Sequence, residues 1–238
     1  MTTDQAHAAG IDVGLRQYML KVYNYMGSGL ALTGVIAYLV YSTPALLNLM
    51  YAPQAGGGYA PTMLAWIFMF APLAFILVMN MGLNRMSAST LQMVFWAFAA
   101  AMGVSLSTIF LTYTGSSIAR VFFITAGTFL GMSLYGYTTK RDLSGFGSFL
   151  MMGLIGIIIA SVVNIFMASS ALQFVISVVG VLIFTGLTAY DTQRIKSLYY
   201  EADGGEVMTK KAIMGATTLY LDFINLFLML LRLFGNRE

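Results

Sequence analysis

The residues in this sequence that could do chemistry are two aspartates. Asp222 lies ten residues into an apolar run from Ala212 to Phe234. At 1.5 Å per helical residue that is about 15 Å deep, near the middle of a bilayer. Gly215, Thr218, Asp222 and Asn225 recur at three- and four-residue spacings, so a helix places them on one small, polar face. Leu221, Phe223, Leu228 and Leu230 supply the apolar remainder. An Asp at the centre of a lipid-embedded helix costs about 2.5–3.5 kcal/mol. Two readings account for it: a wetted, titrating acid facing a bundle interior, or a protonated acid bonded to neighbouring helices as structural glue.

Asp191 closes the preceding apolar run within Thr188-Ala189-Tyr190-Asp191-Thr192-Gln193-Arg194-Ile195-Lys196. Arg194, three residues on, would share its helix face, so an interfacial ion pair explains both residues. The other reading makes Asp191 the titrating partner of Asp222. Arg85, at the end of an earlier apolar run, reads as an orientation charge or as a partner for Asp191. Two carboxyl groups brought together in a low-dielectric bundle titrate as one unit. They also offer hard oxygen ligands to a divalent cation, although two carboxylates form only part of a calcium shell. Carbonyls or water must complete it, so calcium at Asp191 and Asp222 would be weak and transient, which suits a leak pathway better than storage.

These acids stand out because the rest of the chain is so apolar. Of 238 residues, 59% are hydrophobic and 9% charged, with a mean hydropathy of +0.81. Twelve basic and nine acidic residues cannot coat a water-soluble surface. That excludes an ordinary cytosolic enzyme, a nucleic-acid reader and a disordered chain. With no Cys, and with His7 in a polar tail as the one His, no disulfide, thiolate metal site or His-based triad can form. No enzymatic constellation and no cofactor are expected. The N-terminus lacks the positive n-region of a cleaved signal peptide.

Seven segments are long enough to cross a bilayer: 23–41, 62–82, 91–114, 118–139, 146–168, 172–191 and 212–234. They predict an all-α polytopic membrane protein, with residues 1–22 as a polar cytoplasmic tail and 23–238 as one seven-helix domain. The longer connectors are a Gly/Pro-rich one from Pro53 to Pro61, read as a flexible loop, and a charged one from Thr192 to Lys211. With the N-terminus cytoplasmic, that side carries Arg16, Lys21, Arg85, Lys140, Arg141, Arg194, Lys196, Lys210 and Lys211, against Arg120, Arg232 and Arg237 opposite. This positive-inside bias orients the chain N-in, C-out if the last segment crosses fully. A re-entrant last segment would return Arg232 and Arg237 to the inside, but its length favours a full crossing. Pro72 is expected to kink the second span. Gly127 and Gly131 read as a helix-packing pair, and Trp66, Tyr113 and Tyr137 as interfacial anchors. The 18 Met residues read as adaptable packing material.

The run Gly186-Leu187-Thr188-Ala189-Tyr190-Asp191-Thr192-Gln193-Arg194-Ile195-Lys196 resembles the signature of the transmembrane Bax-inhibitor-motif family. Leu219-Tyr220-Leu221-Asp222-Phe223-Ile224-Asn225-Leu226-Phe227 resembles that family's last helix, and Gly131 through Asp142 resembles its bacterial members. The likeness covers essentially all seven spans. It implies a last helix central to a bundle of six, a bacterial inner-membrane location, and a pH-sensitive calcium leak. Asp191 and Asp222 match the acids of a di-aspartyl sensor whose protonation and pairing with an arginine shift the channel between closed and open; Arg85 is the best positional match for that arginine. Arg194, Thr218 and Asn225 are further candidate partners of the pair. The expected partners are calcium ions, protons and the lipid bilayer, with no nucleic acid. A different reading is a membrane-embedded regulator of a membrane protease without transport of its own, in which the Arg16/Lys21 tail or the Thr192–Lys211 loop would matter more than Asp222. A proton-coupled solute transporter ranks below both, because no broken helix or inverted repeat is evident. The boundaries above put Asp191 at an interface and Asp222 near mid-bilayer, so a direct pair requires a shift of about one to two helical turns.

Overall fold

The computed structural model describes residues 12–56 and 58–237. His7 and the tail before Asp12 lie outside the described residues, as does Gly57. Seven helices among those described are long and apolar enough to cross a membrane. They are α1 (Val13–Ser42), α3 (Met63–Gly82), α4 (Ala88–Leu106, continued by a 3-10 turn Ser107–Leu111), α5 (Gly115–Thr138), α6 (Ser144–Met167), α7 (Ser170–Ser197) and α8 (Gly205–Phe234). A short helix α2 (Pro44–Met50) and the strands β1 (Tyr51–Pro53) and β2 (Tyr59–Pro61) fill the connection after α1. The Pro53–Pro61 connector is therefore closed at its base by a short strand pair. β1 and β2 pair antiparallel with Ala52 opposite Ala60, and Gly58 takes the positive φ of 87° that the reversal requires.

The chain forms two compact units. One takes the described residues through Thr112 together with Tyr200–Thr217; the other takes Tyr113–Tyr199 with Thr218 onward. In the first, α4 packs against both α1 and α3. Gly103 lets α4 approach α1 at the Thr33 carbonyl and Ile36, and the Thr33 hydroxyl donates to the Ala99 carbonyl at 2.8 Å. Pro72 sits buried within α3. α1 begins ten residues before the expected Tyr23 because Asp12 caps it, accepting from the Leu15 N–H at 2.8 Å, and Tyr18, Met19 and Val22 are buried.

In the second unit α7 packs against both α5 and α6. Small residues set these approaches: a side chain at Gly136 on α5 would overlap the Ala189 carbonyl of α7, and one at Gly147 on α6 would overlap the Tyr190 ring. Gly127 and Gly131, expected to be the packing pair, are exposed with nothing near them. They lie on the outward side of α5, and the glycine that closes the contact is Gly136, five residues on. The C-terminal part of α8 meets α5 through Phe223 against Phe122 and Phe129, and meets α7 where Met229 covers Gly180.

The chain end is tied to the start of α5. Thr114 N–H donates to the Asn236 carbonyl and Asn236 N–H to the Ser117 hydroxyl, while Arg237 lies over the Tyr113 ring. Tyr113 is thus buried under the C-terminal segment and is not an exposed anchor. The far end of α5 is joined to α7 instead, by Lys196 donating to the Tyr137 carbonyl at 2.8 Å. α8 therefore runs the length of the unit as an uninterrupted helix and does not turn back. It is also the most enclosed of the long helices, with 67% of its most apolar window buried against 17% for α3 and α6.

Two substitutions on α5 separate these faces. Gly136→Ala is expected to destabilise the protein by about 1–3 kcal/mol through overpacking against a backbone carbonyl. Gly131→Ala, in open space, should stay within about 0.5 kcal/mol of the parent. Thermal unfolding in detergent reads both.

Candidate functional site

The site is built where α7 and α8 bring one acid each to the interior of the second unit. Both Asp191 and Asp222 are buried, and their carboxyl groups face each other closely enough to act directly on one another. A carboxylate only accepts, so a hydrogen bond between the two requires a proton held between them. No N–H or hydroxyl of the described residues donates to the buried Asp222 Oδ2.

The pair forms because both helices run further than hydropathy alone indicates. α7 continues to Ser197 and α8 starts at Gly205, leaving a short connector in place of the expected 192–211 loop. Asp191 therefore sits six residues, about 9 Å, inside the end of α7. The charged residues that mask this extension are good helix formers with local partners. Lys196 lies over the Tyr137 ring with its Nζ 5.0 Å from the centroid, Lys211 pairs with Asp203, and Lys210 pairs with Glu206 at 3.3 Å.

A buried polar contact stands next to Asp191 in the chain. Ser133 of α5 and Thr192 of α7 hydrogen-bond at 2.9 Å, and both are buried. Thr192 also donates to the Thr188 carbonyl at 2.7 Å, stiffening the turn that carries Asp191. Ser133 and Thr192 were not singled out from the sequence, although each stands within a family-like motif. A hydroxyl four residues after another on a buried face is the available signal, and it is common to many membrane helices.

The remaining candidates divide. Arg194 is exposed at the end of α7 and is the positive charge that acts on Asp191. Arg85 lies exposed in the turn between α3 and α4, in the first unit. Thr218 is half-buried on the Asp222 face, one turn earlier. Asn225 donates to the Leu221 carbonyl of its own helix at 2.8 Å and lines a separate, mostly apolar cavity of about 390 Å³ with Phe184, Met229 and residues of α6. Among the described residues no third His, Cys, Asp or Glu joins the two acids as a possible metal ligand.

Residues 15–238 match the family described as inhibitor of apoptosis-promoting Bax1. An uncharacterized protein of Rickettsia prowazekii is 54% identical over 95% of this chain and 92% of its own length. One from Caulobacter vibrioides is 48% identical over 96% and 92%. The Escherichia coli inner membrane protein YbhL is 46% identical over 94% of each.

The shared proton is open to measurement. An infrared spectrum of the wild type should contain the C=O band of a buried protonated carboxyl, and Asp191→Asn or Asp222→Asn should remove it. Each single variant should still fold, because an amide N–H₂ replaces the proton as donor to the remaining carboxylate. A wild-type spectrum without that band would contradict the hydrogen-bonded pair.

Proposed function

The chain belongs to the Bax inhibitor family, and from that premise we propose that it is a pH-sensitive calcium leak gated by Asp191 and Asp222. The seven long apolar helices and the inner-membrane relative support a multi-pass protein of the bacterial inner membrane. The observation that carries the reading is the facing of two buried carboxyl groups on different helices. A hydrogen bond between them lasts while one proton is shared. Once it leaves, two negative charges face each other in a low-dielectric interior and repel, so the contact between α7 and α8 opens or takes up a cation.

Calcium needs the same oxygens ionised. Proton and calcium therefore exclude one another at the pair, and calcium entry releases the shared proton. Arg194 supplies an alternative counter-charge to Asp191 once the bond to Asp222 is gone. With two carboxylates and the rest of the shell left to carbonyls or water, calcium is held briefly, as permeation requires.

Calcium flux into proteoliposomes tests this. Wild-type flux should change between acidic and neutral pH. Asp222→Asn should be pH-independent and altered by about tenfold or more, since one protonation site of a coupled pair is gone. A variant with the wild-type rate and the wild-type pH profile would overturn the proposal.

A further inference from the structure

At the end of the second unit where α5 finishes, α6 begins and α7 ends, a pocket of about 340 Å³ is lined by Lys140, Arg141, Asp142, Tyr190, Gln193 and Arg194, among others. Gln193 fixes its shape from both sides of the 139–143 connector. Its side-chain oxygen accepts from the Leu143 N–H at 2.9 Å, and its amide donates to the Arg141 carbonyl at 2.8 Å. The connector is thus clamped to the last turns of α7, and its two cations are held beside Arg194.

The acid in the pocket keeps its negative charge, against three cations, and is turned onto the start of α6. Asp142 accepts from the Ser144 N–H at 2.9 Å, and the hydroxyl and N–H of Ser144 hold its carboxyl below the usual range, in the ionised form. Lys140 and Arg141 have no such partner, and Arg194 has only the through-space attraction of Asp191. Lys140, Arg141 and Arg194 enter no salt bridge among the described residues, whereas Lys196, Lys210 and Lys211 each have one of the partners described above. Positive charge at a helix end orients a membrane protein whether or not it is gathered. Three cations around one clamped cavity are a recognition geometry.

The surroundings specify the ligand further. Within about two turns of the pocket, Leu134 on α5 is 63% exposed and Phe149 on α6 is 65% exposed. A charged cavity bordered by apolar surface fits a molecule with an anionic head and a hydrocarbon body. Basic pockets at the ends of membrane helices bind anionic phospholipid headgroups in this way. We propose that this pocket binds the phosphate headgroup of an anionic phospholipid. Because Arg194 also acts on Asp191, a seated headgroup competes with Asp191 for that cation. This coupling rests on the leak reading; the binding does not.

Delipidated protein in detergent, titrated with phosphatidylglycerol or phosphatidylcholine and read by native mass spectrometry, tests the binding. The anionic lipid should be retained and the zwitterionic one should not. At about 1 kcal/mol per basic residue near a lipid surface, Lys140→Gln with Arg141→Gln should weaken retention about thirtyfold. The charge-preserving pair Lys140→Arg with Arg141→Lys, and Lys210→Gln elsewhere, should leave it unchanged. All variants are compared at matched, lipid-free thermal stability. Equal retention by the Gln double variant would overturn the site. Complete displacement of the lipid by millimolar inorganic phosphate would reassign it to a free anion and overturn the lipid.

Discussion

One contact sets the chemistry of the second unit: that between the buried carboxyl groups of Asp191 and Asp222. It links two helices through groups that repel when both are ionised and bond when they share a proton. Burial makes that difference large, because facing charges interact far more strongly in a low-dielectric interior than in water. A salt bridge in the same place would change little with pH over the physiological range. A pair of like acids cannot be so indifferent, since its sign of interaction depends on a proton that exchanges with solvent.

For such a pair to respond, the rest of the unit must not yield first. α7 is gripped by close approaches on both flanks, at Gly136 on α5 and Gly147 on α6, where backbone and ring occupy the space of a side chain. Ser133 and Thr192 add a buried hydrogen bond beside Asp191, and Lys196 and Gln193 tie the end of α7 to the α5–α6 connector. Overpacked or clamped contacts of this kind are costly to shift. The acids themselves are not fixed in this way: no N–H or hydroxyl of the described residues donates to the buried Asp222 Oδ2.

Much of this was legible in the sequence, and the misses share a cause. Apolar runs marked the seven long helices, and an acid inside one of them marked Asp222. The extents of α7 and α8 were underestimated because hydropathy treats Arg194, Lys196, Lys210 and Lys211 as the end of a span. Long side chains reach partners beyond the apolar belt while their backbone stays helical. The packing glycine was misplaced for a related reason. Gly127 and Gly131 have the right spacing, but which face of α5 is turned inward is decided by its neighbours, and Val121, Thr125, Phe129 and Ser133 are the buried stripe. Gly136 continues that stripe; Gly127 and Gly131 do not. Partnership between residues distant in sequence, such as Ser133 with Thr192, has no periodic signature.

Hydroxyls in these helices show why the acids carry the response. Thr125, Ser161, Ser177, Thr188, Thr192 and Thr217 each donate to the carbonyl four residues earlier in their own helix. A hydroxyl can do so because it keeps its proton at any physiological pH, so its satisfaction depends on no neighbouring helix. An ionised carboxyl has no donor and cannot bond back to its own carbonyls. It must find a proton, a cation or water from outside its helix. Where buried hydroxyls do reach across helices, as Thr33 and Ser133 do, they carry their own proton; the two acids must obtain theirs from the solution, and that dependence is what a proton or a calcium ion can act upon.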